Sequence, residues 1–302
     1  MAVFYKFENS VSWRELNMNL IKNKKNLTII IFLIGIFISV NAFPEVFNPG
    51  DSPVLQRIKD RGEISIGVNP DYKPFSYLDE SGKRVGVDID IANLLGDLLK
   101  VKVKIVVPKS FSELIPFLLN DKIDIIMADM TKNFGRAMIV NFTDSYFETG
   151  LTIMLNKVKA GRDKIPIVNN YKRFVYELRK NNKEEDLIIA VTKGKSPAKS
   201  VPVFFPKAQV MKYSKNELSA SAVLNNEAHI MVHDETFLNV WLHDNREKTL
   251  YKIIVFPETF KQDHYAFAVK KGNQEFLNLL NVFILELKVE GYLKRFMTKY
   301  MN

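Results

Sequence analysis

Two residues of opposite charge stand at the ends of apolar runs about a hundred positions apart. Arg136 ends the segment IDIIMADMTKNFGR (123–136), and Asp234 lies near the end of HIMVHDE (229–235). A guanidinium group binds a carboxylate through two parallel hydrogen bonds, and a carboxylate pairs with an ammonium group. We therefore predict that Arg136 and Asp234 hold the two ends of a free amino acid, each from a different lobe.

The composition is typical of a globular chain with room for two domains. It has 302 residues, of which 47% are hydrophobic and 25% are charged, as in ordinary folded domains. The net charge of +9 is spread along the chain without a nucleic-acid-binding motif, so nucleic acid is not an expected partner. The absence of cysteine excludes disulfides, cysteine metal sites and a lipid-modified cysteine after an export signal.

The N-terminal segment has the pattern of an export signal. A lysine-rich stretch precedes an uncharged apolar run of fourteen residues, 27–40, which ends in small residues that suit a cleavage site. We predict that residues 1–42 are a signal peptide and that the mature chain is periplasmic. The alternative is an uncleaved membrane anchor, and Met18 is the more ordinary start, with 1–17 as an extension.

Beyond residue 55 the chain alternates short β-type runs with helical patterns, which indicates an α/β fold with parallel sheets. Apolar periodicity predicts two such units and a C-terminal return. The predicted strands are 64–68, 102–107, 123–128, 151–155, 187–191, 208–213, 230–233 and 265–269. The predicted helices are 89–99, 111–120, 171–182, 216–225, 235–244 and 276–290.

Three long segments, 62–95, 110–150 and 265–296, carry a family resemblance in the right order. Together they resemble the periplasmic amino-acid-binding proteins of ABC transporters, a family that includes the ligand cores of ionotropic glutamate receptors. The resemblance implies two α/β lobes joined by two crossing hinge strands. It places lobe I at 43–156, lobe II at 157–263 and the return to lobe I at 264–302.

The resemblance also implies which side chains bind the ligand. Flat rings enclose the ligand side chain in this family, Arg136 binds its carboxylate and Asp234 its ammonium group. A turn at 190–200 donates to the carboxylate beside a helix that a serine caps. The residues that match these roles are Asp71, Tyr72, Phe75, Phe111, Thr131, Arg136, Gly194, Ser196 and Asp234, with core packing as the alternative for the three aromatic residues.

Asp129 departs from the family pattern, in which many relatives have Gly or Ser. Its charge either favours a cationic amino acid, such as lysine, arginine or ornithine, or points away from the pocket. Lys195 in the 190–200 turn is also unusual. It either reinforces carboxylate binding or pairs with Asp129 across the cleft.

Two further clusters have structural interpretations. His229 and His233 have the spacing of a helical metal site, but the run around them is β-type, so we expect structural histidines and no metal. Asp88 and Asp90 precede a helical pattern, where capping and solvation account for them better than paired acid/base catalysis.

The predicted function is capture of a free polar amino acid and its delivery to the membrane permease of an ABC transporter. We expect a monomer that needs no cofactor. An enzyme on the same scaffold, similar to cyclohexadienyl or arogenate dehydratases, is the alternative, with Asp129 as the evident general acid. A sensory ligand-binding module is a third and less favoured possibility.

Overall fold

The computed structural model describes residues 52–301, and the predicted signal peptide (1–42) and alternative start at Met18 lie outside them. The described residues belong to one compact unit. Its strands are β1 (Glu63–Gly67), β2 (Tyr77–Leu78), β3 (Arg84–Val85), β4 (Lys102–Val106), β5 (Ile125–Ile126), β6 (Val140–Asn156), β7 (Ile188–Thr192), β8 (Gln209–Tyr213), β9 (Ile230–Asp234), β10 (Ile253–Val255) and β11 (Lys261–Lys270).

The helices alternate with these strands, as the sequence predicts. In chain order they are α1 (Pro53–Arg61), α2 (Val87–Leu99), α3 (Leu114–Leu119), α4 (Phe134–Ala137), α5 (Lys157–Arg162), α6 (Tyr171–Lys180), α7 (Pro197–Phe204), α8 (Asn216–Leu224), α9 (Glu235–Asp244), α10 (Arg246–Thr249), α11 (Gln274–Val289) and α12 (Tyr292–Met301). A single 3₁₀ turn, Phe111–Glu113, leads into α3. Within 52–301 no helix has the length and apolar character needed to cross a membrane.

The main sheet is continuous through both halves of the unit, in the order β4-β1-β5-β11-β6-β9-β7-β8, with β10 also pairing with β6. Strands β1, β4 and β5 run parallel at one end, and β7, β8 and β9 run parallel at the other. We call the first group with its helices lobe I and the second group with its helices lobe II. The α/β fold with two lobes is therefore confirmed, and the residue boundaries 43–156, 157–263 and 264–302 stay predictions.

The two lobes are joined by the long strands β6 and β11. Strand β6 pairs antiparallel with β11 from Val140 to Leu151, and then with β9 from Leu151 to Leu155. One strand of 17 residues thus changes its partner at Leu151. A bend at this point would move the lobes relative to each other, which fits the crossing hinge strands that the sequence predicts.

Local sequence explains where the first helix begins and ends. The hydroxyl of Ser52 accepts a hydrogen bond from the Leu55 amide, and Pro53 occupies the first helical position. Gly62 ends the helix with φ of 63°, a left-handed conformation that costs glycine little. Helix α1 therefore leads directly into β1, whose first strand residue is Glu63.

Several predicted elements differ in extent from those observed, for example the strand predicted at 265–269, which is observed as Lys261–Lys270. The predicted strand 123–128 is only Ile125–Ile126, and the predicted helix 111–120 is a 3₁₀ turn followed by α3. The predicted strand 151–155 is the last part of β6, which begins at Val140. Burial along the first part of β6 is irregular, and its apolar and polar residues do not alternate cleanly. The two-residue periodicity that predicts a half-buried strand is therefore absent from this segment.

Candidate functional site

A small cavity lies between the lobes and is lined from both of them. Six of the ten predicted ligand-binding residues line it, namely Phe111, Asp129, Thr131, Arg136, Ser196 and Asp234. Its volume is about 10 Å³, room for about one water molecule. A second pocket of about 300 Å³ shares Phe111 and Lys195 with it and is also lined by Asn69 and Asp71 among others.

Arg136 lies in the short helix α4, where the side chain of Asn133 accepts a hydrogen bond from the Arg136 amide (3.0 Å). Its guanidinium group donates to the carbonyl oxygens of Thr131 (2.7 Å) and Gly194 (2.9 Å). The second bond joins lobe I to lobe II. Burial lowers the pKa of Arg136, but a guanidinium stays charged in proteins, so a buried cation faces the cavity.

Asp234 ends β9 and begins α9, whose first turn it caps by accepting from the Phe237 amide (2.9 Å). The same carboxylate oxygen accepts a hydrogen bond from the Tyr72 hydroxyl. Its other oxygen lies 2.6 Å from Nδ1 of His233, which is not aligned for a hydrogen bond. Burial alone would raise the pKa of Asp234, but the His233 imidazole and these donors outweigh it and hold that pKa well below its usual range.

Asp129 and Lys195 form a buried ion pair across the cleft, with 2.7 Å between their charged atoms. Asn69 donates to the other carboxylate oxygen at 2.6 Å. The Lys195 ammonium lies 3.9 Å from the ring centroid of Phe111 and 4.8 Å from that of Tyr72. Burial raises the pKa of Asp129 to about 6, against the opposing effect of Lys195, and burial lowers the pKa of Lys195.

Of the two roles weighed for Lys195, the structure therefore favours pairing with Asp129. The Asp129 side chain does not point outward, since the residue is only 3% exposed. Its backbone has φ of 45°, a left-handed conformation in which glycine is the least strained residue. Glycine would therefore adopt the backbone conformation of this position with less strain than aspartate does.

The aromatic residues separate into two roles. Tyr72 and Phe111 both face the Lys195 ammonium, but of the two only Phe111 is among the residues that line the cavity. Phe75 lies behind Tyr72, with the ring centroids 5.3 Å apart, and also contacts the rings of Phe147 and Tyr265. Phe75 is fully buried and is not among the residues that line the cavity, so the packing alternative describes its position and its ligand contact stays a prediction.

The 190–200 turn meets the cavity through Lys195, Ser196 and Pro197, and Gly194 contacts Arg136 beside it. Gly194 has φ of 78° and offers its carbonyl oxygen to Arg136. The prediction that Ser196 caps helix α7 is wrong, because its side chain makes no capping hydrogen bond. Its backbone is already helical, with φ of −53° and ψ of −44°, whereas a capping residue has an extended backbone that turns its oxygen toward the first amides. Ser196 nonetheless lines the cavity.

Six residues that line the cavity were absent from the predicted set, namely Leu151, Lys195, Pro197, His233, Asp263 and Tyr265. Two of them lie on β11, where residues two apart share a face. The Thr131 hydroxyl donates to Asp263 at 3.2 Å, and the Tyr265 hydroxyl lies 3.2 Å from that of Tyr72. The i, i+2 spacing of polar groups on a returning strand was a signal that could have found both.

Solvation does not explain Asp88, so that prediction is wrong. The residue is fully buried in α2, where one oxygen accepts from the Tyr146 hydroxyl (2.7 Å) and the other has no hydrogen-bond partner. Burial, with a contribution from the nearby charge of Asp129, raises its pKa to about 8. Asp90 lies partly exposed on the same helix and pairs with Lys299 at 2.8 Å.

The two histidines with helical metal spacing lie on or beside a strand. His229 accepts from the Ile188 amide at 2.9 Å and lies 2.9 Å from Asp163. His233 contacts Asp234 and Asn216 at the cavity. Within residues 52–301 no group of three or more potential ligands could hold a metal ion.

The fold and the cleft define a two-lobed binding protein whose lobes enclose a small polar site. Residues 64–302 match the family of bacterial extracellular solute-binding proteins, family 3, and the chain belongs to this family. The resemblance that the sequence indicates is thereby confirmed.

Individual relatives include binding proteins and an enzyme. The chain is 31% identical to the ABC transporter glutamine-binding protein GlnH of Bacillus subtilis (strain 168) over 78% of this chain and 80% of the relative. A 98-residue segment, 32% of this chain and 36% of the relative, is 36% identical to cyclohexadienyl dehydratase of Pseudomonas aeruginosa. The solved structure of a binding component of an ABC transporter from Wolinella succinogenes, complexed with lysine, superimposes with a TM-score of 0.68 at 29% identity, covering 80% of this chain and 96% of the other.

Proposed function

We propose that this protein captures a free polar amino acid between its two lobes outside the cytoplasm and delivers it to the membrane permease of an ABC transporter. Family membership and the relatives named as ABC-transporter binding proteins support this role. In the proposal residues 1–42 direct export to the periplasm, and the protein acts as a monomer.

The observation that carries the proposal is the convergence of Arg136 and Asp234 on one cavity from different lobes. An amino acid has a carboxylate and an ammonium group on the same carbon, so its binding site needs a fixed cation and a fixed anion close together. Arg136 is assigned the carboxylate, with Thr131 beside it. Asp234 is assigned the ammonium group, because its depressed pKa keeps it ionised.

Ligand entry requires the lobes to separate. The cavity of about 10 Å³ is far smaller than sites for small molecules, which are typically about 300 Å³ or larger. Contacts between Tyr72 and Asp234, and between Arg136 and Gly194, hold the lobes together. A bend in β6 and β11 near Leu151 would break these contacts, and a ligand that replaces them would restore closure.

The enzyme alternative depends on Asp129. The partial match to cyclohexadienyl dehydratase and the pKa of about 6 for Asp129 both favour it, because a general acid near neutral pH needs a raised pKa. Its pairing with Lys195 at 2.7 Å disfavours it, because a carboxyl group held in an ion pair is ionised and has no proton to donate. Binding without turnover is therefore the proposed function.

Isothermal titration calorimetry with the twenty common amino acids tests the proposal. We expect at least one amino acid to bind with a Kd near or below about 1 μM, equivalent to roughly 8 kcal/mol. Arg136→Gln and Asp234→Asn should each weaken that binding by about 100-fold, or roughly 3 kcal/mol, because each leaves a charged ligand group unpaired. Arg57→Gln, on the exposed side of α1, is the matched control and should bind as the parent does.

A parallel assay follows prephenate and arogenate turnover by the disappearance of substrate. The proposal expects none above the uncatalysed rate. Turnover that Asp129→Asn abolishes would assign the enzyme function instead. A folded protein that binds none of the amino acids would contradict the binding function.

A further inference from the structure

Lys195 takes the position in which a site for cationic amino acids would hold the ligand's charged side chain. Its ammonium group lies 2.7 Å from the Asp129 carboxylate and faces the rings of Phe111 and Tyr72. A carboxylate with aromatic faces beside it is the arrangement that binds organic cations. Here the chain's own lysine fills this arrangement, and the residue is only 6% exposed.

Burial of the Lys195 ammonium group costs free energy, so neighbouring groups must stabilise its charge. The ammonium group loses hydration on burial, and its pKa is lowered accordingly. The Asp129 carboxylate and two ring faces supply that compensation within the cavity. The charges of Asp129 and Lys195 therefore neutralise each other, and neither is free to pair with a charged group of a ligand.

The Asp129–Lys195 pair sets the net charge of the part of the cavity that we assign to the ligand side chain. Arg136 and Asp234 are assigned to the two charged groups that every amino acid carries. What remains for the side chain is Asp129 neutralised by Lys195, with Asn69 beside them, and Asp263, whose carboxylate pairs with Lys261. An additional positive or negative charge would enter a desolvated site without a counter-charge, whereas a neutral group that donates and accepts hydrogen bonds would not.

We propose that Lys195 is a built-in occupant of the cation subsite and that the pocket therefore selects amino acids with neutral polar side chains and excludes lysine and arginine. This inference rests on the proposed amino-acid-binding function and names the class of ligand. It also reverses the preference for cationic amino acids that Asp129 alone would give.

Charge substitution on either side of the pair should change the preference in opposite directions. Lys195→Met keeps a long side chain without its charge and leaves Asp129 free to bind a ligand cation. Asp129→Asn removes the anion and leaves Lys195 free to bind a ligand anion. The double variant is neutral, as the parent pair is.

The experiment titrates glutamine, lysine, arginine and glutamate into the parent protein and each variant by calorimetry. The parent should prefer glutamine to lysine and arginine by at least about tenfold, which is about 1.4 kcal/mol. Lys195→Met should shift the lysine-to-glutamine ratio toward lysine by about tenfold or more, and Asp129→Asn should shift the glutamate-to-glutamine ratio toward glutamate. Lys193→Met, an exposed lysine in the same turn, is the control and should leave the preferences unchanged.

The outcomes separate this inference from the function on which it rests. Tight binding of lysine or arginine by the parent, or an unchanged preference in Lys195→Met, overturns the inference while amino-acid binding stands. Failure of every folded protein to bind any amino acid contradicts the proposed function instead. If Asp129→Asn does not fold, as judged by circular dichroism, the Lys195→Met ratio alone decides.

Discussion

Replacement of Asp88 by asparagine should make the protein more stable at neutral pH and have little effect in acid. Asp88 is fully buried, and one of its oxygens has no hydrogen-bond partner. Its pKa in the folded protein is about 8, compared with an ordinary value of 3.8. The folded state therefore keeps the carboxyl protonated over a pH range in which the unfolded chain has already released the proton.

The sign and size of the effect follow from this difference in pKa. Between about pH 4 and pH 8 the folded state binds one more proton at Asp88 than the unfolded state, so the free energy of unfolding falls as pH rises. The slope is about 1.4 kcal/mol per pH unit, and the loss reaches about 4 kcal/mol at pH 7. The asparagine side chain of Asp88→Asn cannot ionise, and the Tyr146 hydroxyl can donate to its amide oxygen as it does to Asp88.

Urea denaturation of both proteins at pH 5, 6, 7 and 8 measures the difference. The free energy of unfolding of Asp88→Asn, minus that of the parent, should rise with pH by about 1.4 kcal/mol per unit up to about pH 7 and level off near pH 8. Asp90→Asn, which removes a partly exposed carboxylate of the same helix paired with Lys299, is the control for a general charge effect. A difference that is constant across this range would refute the reasoning.

Three further substitutions test single contacts by the same denaturation assay. Gly86→Ala should cost about 3 kcal/mol or more, because φ is 131° and a Cβ would overlap the carbonyl oxygen of Phe75; a cost under about 1 kcal/mol would contradict this. Tyr72→Phe removes a donor from the buried Asp234 carboxylate and should cost about 2 kcal/mol, and equal stability would show that the bond contributes nothing. Asn170→Ala removes the cap of α6 and should cost about 1 kcal/mol, whereas an unchanged midpoint would speak against the cap.

The alternation of strands and helices was predictable because it depends on local periodicity. Helix α9, residues 235–244, has the predicted bounds, and β9 differs from its prediction by one residue. Strand β5 was predicted too long, since an apolar run does not show how many of its residues find a partner strand. The polar first part of β6 was missed for the related reason that a strand crossing between lobes has no single buried face.

The candidate site was predictable where one residue's position in a motif was sufficient. Arg136 at the start of α4 and Asp234 at the end of β9 carry their charges to the cavity. His233, adjacent to Asp234, was assigned a structural role although it also reaches the cavity. The strand pattern indicated its backbone correctly, but it could not show which neighbours surround its ring.

Sequence alone was thus sufficient for the family, the α/β alternation and the charged residues that motifs carry, because these depend on neighbours along the chain. The sequence left two roles open for Lys195, and the choice between them, like the burial of Asp88, came only from the folded arrangement. Lys195 is 66 positions from Asp129 and reaches it across the cleft, and Asp88 accepts a hydrogen bond from Tyr146, 58 positions away. Such pairings depend on how the two lobes are placed relative to each other, and a local sequence pattern does not determine that placement.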